Sequence, residues 1–287
     1  MAVERNGQPM DERRLSAYRT VGALAARVME GVREVAAVCA NEKVLADRIR
    51  GMVRGDLGLA PRWLSVGIGT NDRHVNNIWF RPREFSPGDL VKVEIGLDLG
   101  GYYVEVGETL APRRDGARDA ELREAACQAL ATGISAARVG NRVVDVSRAI
   151  QEEIESRGFE VSLFGAGHAI RVDDTTTDNR VPPWIFNRAD ASELCRADGG
   201  STGRDEVIAN LQCQLTSGMC LALEPIAQGG CGGVCGCHEC VEVPETGNTV
   251  RLPYWRTVDG EKSAKFVHTI YLTESETIVL TASGGGK

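Results

Sequence analysis

No run of this sequence approaches the roughly 20 apolar residues that span a bilayer. Its first twenty positions hold Glu4, Arg5, Asp11, Glu12, Arg13 and Arg14 where a secretory signal would be apolar. The expectation is a soluble, cytoplasmic protein with no membrane partner. A Lys/Arg cluster is missing too: 33 basic residues against 40 acidic give a net charge of -7. That leaves no electrostatic footprint for a phosphate backbone and argues against nucleic acid as a partner. Nor do the cysteines suit a secreted disulfide framework, since nine is an odd number and five stand singly in periodic segments, as buried reduced thiols do. What is present is 43% hydrophobic content, enough for a chain of 287 residues to bury a substantial core.

Val21, Leu24, Val28, Val32 and Val35 recur at helical spacing and predict a long amphipathic helix from residue 15 to about 40. Residues 42–53 repeat the pattern until Gly55 and Pro61 break it, and 63–68 reads as a strand. The turn Pro87-Gly88-Asp89 launches a strand over 90–97, and Gly100-Gly101 turns the chain into 102–106, so the two form a hairpin. Helices follow over 119–137 and from an N-cap at Asp145 to Gly158. Strands are expected at 159–164 and 219–223, with a terminal hairpin from 265–272 and 277–281. The polar stretch 173–216 reads as a long loop or insertion. Helices, strands, helices and strands in that order are an α+β arrangement.

Glu94 and Glu105 lie eleven residues apart across the first hairpin, so alternation puts both on one sheet face, nearly opposite each other. Like charges facing across a strand pair repel. A bound cation offsets the repulsion, because hard divalent metals favour oxygen ligands, whereas a carboxylate at a solvated edge needs no partner. His168 sits among small residues in Gly165-Ala166-Gly167-His168-Ala169-Ile170, where a backbone can approach closely; taken alone, such a histidine is more often a hydrogen-bonded structural residue. Glu224 ends an apolar strand before Pro225, and a carboxylate leaving a buried element wants a cation or a proton.

In order, these segments resemble the methionine aminopeptidase and creatinase family. Gly88-Asp89-Leu90-Val91-Lys92-Val93-Glu94 is similar to the strand bearing that family's first metal carboxylate, and Gly101-Tyr102-Tyr103-Val104-Glu105 to the strand bearing the second. Gly167-His168-Ala169-Ile170 resembles its Gly-His-Gly-Ile motif, and Ser217-Gly218-Met219 through Leu223-Glu224-Pro225 its Pro-Gly-Met and Glu-Pro motif. The resemblance runs from about residue 18 to 280. It implies one pita-bread domain over 1–287, a curved antiparallel sheet covered by helices; to this the composition adds an insertion at 173–216 and a Cys-rich loop at 229–240 that is none of the family's motifs. The resemblance further implies a divalent ion (Fe, Mn, Co or Zn) on Glu94, Glu105, His168 and Glu224, and a small amino-acid-like or amide substrate. A homodimer is one assembly open to it.

Departures from the family pattern bear on activity. Both family aspartates are glutamates here, Glu94 and Glu105, which moves each carboxylate outward. The bridging fifth ligand, expected before His268-Thr269, is Val267. A second family histidine falls near Thr175, and the substrate-side histidine is best matched by His74. Glu105, His168 and Glu224 thus remain around one metal position, with Glu94 as a further ligand or a base and His74 or His268 as substrate contacts. The function implied is a metal-dependent hydrolase other than an ordinary methionine aminopeptidase. Its rivals are a non-catalytic interaction protein and a mononuclear non-haem iron enzyme. Cys231, Cys235, Cys237 and Cys240 lie within ten residues and could wrap a second, structural metal, though a loop of labile thiols or disulfides fits the same spacing.

Overall fold

The first amphipathic pattern folds as α1 (Glu12–Ala36), which buries Tyr18, Val21, Ala25, Val28, Met29 and Val32. In α2 (Glu42–Gly51) the capping residue is Asn41, whose side chain accepts from the Val44 N–H at 2.9 Å, and a π-helical turn over Met52–Asp56 closes the element. The computed structural model describes residues 12–74, 82–163, 165–171, 180–197, 204–242 and 249–283. Among them no helix is long and apolar enough to cross a membrane.

Strands β1 (Trp63–Thr70), β2 (Val91–Leu99) and β3 (Tyr102–Leu110) form an antiparallel meander. Leu99 pairs with Tyr102, so Gly100 and Gly101 alone make the turn, both at positive φ (65° and 89°), which a two-residue turn of this kind requires. This turn fixes the register. Glu94 pairs with Gly107 and Gly96 with Glu105. The two carboxylates therefore share a face but sit on a diagonal, not nearly opposite as their spacing suggested. Each has a glycine across from it, which spares the pair a direct like-charge contact.

Helices α3 (Ala117–Ala136) and α4 (Val143–Ser156) pack together over the other half of the sheet. Asp145 is the third residue of α4, not its cap; its carboxylate accepts from the Arg142 N–H at 2.8 Å and so satisfies the helix start from inside. Next come β4 (Glu160–Val161), β5 (Gly165–Ile170) and β6 (Arg180–Phe186), then α5 (Ala191–Ala197), α6 (Arg204–Leu211), β7 (Cys220–Leu223) and β8 (Ile226–Gln228). The remaining strands are β9 (Val234–Glu242), β10 (Thr249–Thr257), β11 (Ser263–Lys265), β12 (Val267–Leu272) and β13 (Thr277–Val279). The curled main sheet runs β1-β2-β3-β12-β7-β5-β6 with β13 on β12, and a small sheet runs β11-β8-β4. Val91, Val93, Ile95, Val104 and Val106 bury one face of the meander with α1 and α2, which leaves Glu94 and Glu105 on the other.

Three expectations are corrected here. The stretch 173–216 is not one long loop: among its described residues β6 is the edge strand beside β5, and Val181, Ile185, Val207 and Leu211 join the α3/α4 core. Its period-two burial runs through two prolines, which an edge strand tolerates and which disguise it in sequence. The Cys-rich segment is not a loop, because from Val234 onward it is β9, paired with β10. The strand runs Cys235, Cys237 and Cys240 over roughly 16 Å of backbone. The side chains of residues 237–240 lie outside the described residues. Finally, 265–272 is two strands: Lys265 ends β11 in the small sheet, and only Val267 onward enters the main sheet.

Candidate metal centre

Three elements aim side chains at one point: Glu105 in β3, His168 in β5, and Glu224 just after β7. Between them runs β12, whose Thr269 pairs with Ala222, itself paired with His168. Thr269 also locks β3 in place, its Oγ1 accepting from the Glu105 N–H at 2.7 Å and donating to the Glu105 carbonyl at 2.8 Å. Glu105, Thr269, Ala222 and His168 thus form one row across the sheet.

One ligand atom from each of Glu105, His168 and Glu224 lies within 4.8 Å of the others. His168 Nε2 is 3.2 Å from Glu105 Oε2 and 3.5 Å from Glu224 Oε1. Glu105 and His168 are buried and Glu224 is half-buried. His168 Nδ1 lies 3.1 Å from the Ala169 carbonyl, which can only accept, so Nδ1 carries the hydrogen and a neutral ring turns its Nε2 lone pair toward the carboxylates. That arrangement is repulsive without a positive charge between. Burial lowers the imidazole's hold on a second proton, yet Glu105 and Glu224 outweigh burial and raise His168 to about 9. The field that captures a proton there equally favours a divalent cation.

Glu105 divides its oxygens. Oε1 accepts from the Tyr103 hydroxyl, which burial and the carboxylate keep protonated. Oε2 is buried and accepts no hydrogen bond among the described residues. Gly96 makes room for this contact, since a Cβ there would stand 2.4 Å from the Tyr103 hydroxyl oxygen. A buried carboxylate oxygen that faces only the imidazole, a second carboxylate and an oriented ring fit one ion of the Zn(II), Mn(II) or Fe(II) kind.

The sequence pattern of metallopeptidase family M24 matches residues 16–274. The chain belongs to that family. Methionine aminopeptidase 1 of Mycobacterium tuberculosis is 26% identical over 283 residues, 93% of this chain and 92% of that protein. Methionine aminopeptidase of Aquifex aeolicus is 25% identical over 289 residues, 98% and 99% of the two chains. Among solved structures, methionine aminopeptidase from Thermotoga maritima matches with a TM-score of 0.72 at 24% identity, over 96% of this chain and 99% of that one. Prolidase from Pyrococcus furiosus matches at 0.64 and 12% identity, over 96% and 65%. The pita-bread fold is common to them.

In this M24 member Glu94 stands outside the trio. Its Oε2 is contacted by the Lys265 ammonium, which also contacts Glu224 Oε2. Burial alone would lower the lysine's pKa, but Glu224 and Glu94 push it well above the ordinary range. Sequence reasoning passes over Lys265, although a lysine inside the apolar run Ala264-Lys265-Phe266-Val267 is a signal in itself. Val267 is buried and packs on Gly107, where a Cβ would lie 2.9 Å from Val267 Cγ2.

The other candidates fall on both sides of the sheet. His268 pairs with Val106 and Leu223, so it points to the helix-covered face, where its Nδ1 lies 2.9 Å from Thr281 Oγ1. Alternation thus sets it on the face opposite Glu105 and Thr269. The position near Thr175 lies outside the described residues. His74 is buried, its N–H donating to the Trp255 carbonyl at 2.9 Å. Burial, then the charges of Lys92 and Lys265, lower it to about 3. An unfolded imidazole protonates near 6.5. Between these values the unfolded chain binds the extra proton, so the stability His74 contributes is complete above 6.5 and falls with pH, by about 2 kcal/mol from pH 6.5 to 5. Urea melts across that interval are expected to show this acid limb in the wild type and a shallower one in His74→Gln; equal slopes would refute the assignment.

Proposed function

We propose that this chain is a single-metal enzyme that hydrolyses an amide bond in a small amino-acid-like or peptide substrate. The observation that carries the reading is the convergence of Glu105, His168 and Glu224 from three strands on one sheltered point. The M24 membership and the relatives named methionine aminopeptidase support the reaction class. Val267 and Lys265 support a departure from the ordinary methionine enzyme, because neither supplies a metal ligand.

A divalent ion on these three residues would polarise a substrate carbonyl and acidify a neighbouring water. The chain's own residues prepare for that. The Ala169 carbonyl fixes the His168 tautomer, and Tyr103 holds Glu105 in one orientation. Glu94, on the same face with 24% of its side chain exposed, is the carboxylate we assign to take a proton from the attacking water. His74, neutral and close enough to feel the charge of Lys265, offers the substrate an uncharged imidazole.

The test is an assay of chelator-stripped protein on short peptides and amino-acid amides, with Mn(II), Fe(II), Co(II) or Zn(II) restored in turn. Metal-dependent release of the N-terminal residue or of ammonia is the expected result. Protein that holds no stoichiometric metal and turns nothing over would instead be a non-catalytic member. Fe(II)-dependent oxygen uptake without hydrolysis would replace hydrolysis with oxidation.

A further inference from the structure

Glu224 faces two ways, Oε1 toward His168 and Oε2 onto Lys265, and Lys265 reaches on to Glu94. The lysine side chain is 6% exposed, so its ammonium has been withdrawn from water and lies between two carboxylates. We propose that Lys265 is a built-in cation of the centre, occupying the place between Glu94 and Glu224 that a second metal ion would otherwise fill, so that the protein takes one divalent ion and not two. This rests on the single-metal reading above and adds to it the residue that limits the count.

Charge supports the count. Glu94, Glu105 and Glu224 carry three negative charges, Lys265 returns one positive charge, and a neutral His168 adds none. Two negative charges remain, which one divalent ion neutralises. A second divalent ion would leave an excess of positive charge in a buried site, an expensive outcome. Position supports it as well. The Lys265 backbone is clamped, its N–H donating to Thr109 Oγ1 at 2.7 Å and its carbonyl accepting from the same hydroxyl at 2.8 Å. β11 pairs it with Ile226, two residues beyond Glu224. In the row Glu94–Gly107–Val267 the third position offers an isopropyl group and no further oxygen. Nothing in that corner favours a second ion over the ammonium already there.

The experiment is metal stoichiometry, read by elemental analysis and by Mn(II) electron paramagnetic resonance on stripped protein reloaded with excess Mn(II). Wild type is expected to bind one ion per chain with the spectrum of an isolated Mn(II). Lys265→Gln, which removes the charge and keeps a similar reach, is expected to admit a second ion, seen as a second equivalent and a spin-coupled signal. Lys265→Arg, which keeps the charge, is expected to stay at one. Two coupled ions in wild type would overturn the proposal while leaving the metal reading intact, and it would equally fall if folded Lys265→Gln held one ion with unchanged affinity. No ion in wild type would sink the single-metal reading itself, and this inference with it. Should Lys265→Gln fail to fold, the counts for wild type and Lys265→Arg still decide.

Discussion

The His168→Ala protein is expected to fold and to bind Zn(II) or Mn(II) at least about a hundredfold more weakly than wild type. Loss of a residue that merely orients a metal ligand typically costs 10- to 100-fold in affinity, so loss of the ligand should cost no less. His168 is the one nitrogen donor of the trio, and the two carboxylates left behind suit hard ions better than borderline ones. The fold should survive because the strand is held by its backbone: Gly167, His168 and Ala169 pair with Leu223, Ala222 and Leu221 regardless of the imidazole. A modest destabilisation, about 1–3 kcal/mol, is expected from the Ala169 carbonyl losing its donor and from the uncompensated carboxylates. Competition against a chromogenic chelator gives the affinity and a thermal melt gives the fold. Metal content equal to wild type would place the ion elsewhere.

One residue earlier the outcome should be the reverse. Gly167→Ala is expected to destabilise the fold severely, because two costs coincide at one atom. Gly167 holds φ at 139°, outside the range side-chain-bearing residues tolerate, and a Cβ there would stand 2.0 Å from the Ala222 carbonyl oxygen. The obstacle is the backbone of β7, so no side chain can rotate away. Strand β5 would have to part from β7, taking with it the Glu224 N–H bond to the Ala166 carbonyl at 2.8 Å. We expect a loss above about 4 kcal/mol, the range reached only by backbone strain or severe core damage. In a chain of this size that lowers the melting temperature by roughly 7 °C or more. Soluble yield and calorimetry are the measurements; a melting point within two degrees of wild type would mean the strands do not approach so closely. Together the two substitutions separate a residue that serves chemistry from a neighbour that serves geometry.

Much of the architecture is legible because local chemistry and global packing agree. The β2–β3 hairpin follows from period-two alternation around two adjacent glycines, and α1 from the spacing of Val21, Val28 and Val32. Failures come where composition hides periodicity. Prolines disguise β6 as loop, and glycines and cysteines disguise β9 as loop too. For the site, the order of motifs brings Glu105, His168 and Glu224 forward, yet neither their diagonal relation to Glu94 nor the role of Lys265 is visible. The first depends on where a two-residue turn sets the register. The second depends on a break at Phe266, which sends Lys265 into a different sheet from Val267. It also takes alternation within the folded sheet to show that His268, next to Thr269 of the site row, faces the helices.

Glycine stands across from both hairpin carboxylates, and neither position is free to change. Gly96 is crowded by Tyr103, and Gly107 by the Val93 carbonyl and Val267. Beneath the acids the sheet surface is therefore bare peptide, whose contour follows from strand register and not from any choice of side chain. Adaptation of this site to a new substrate has to proceed from the elements beside the hairpin, among them β5 and β11, while the hairpin stays as it is.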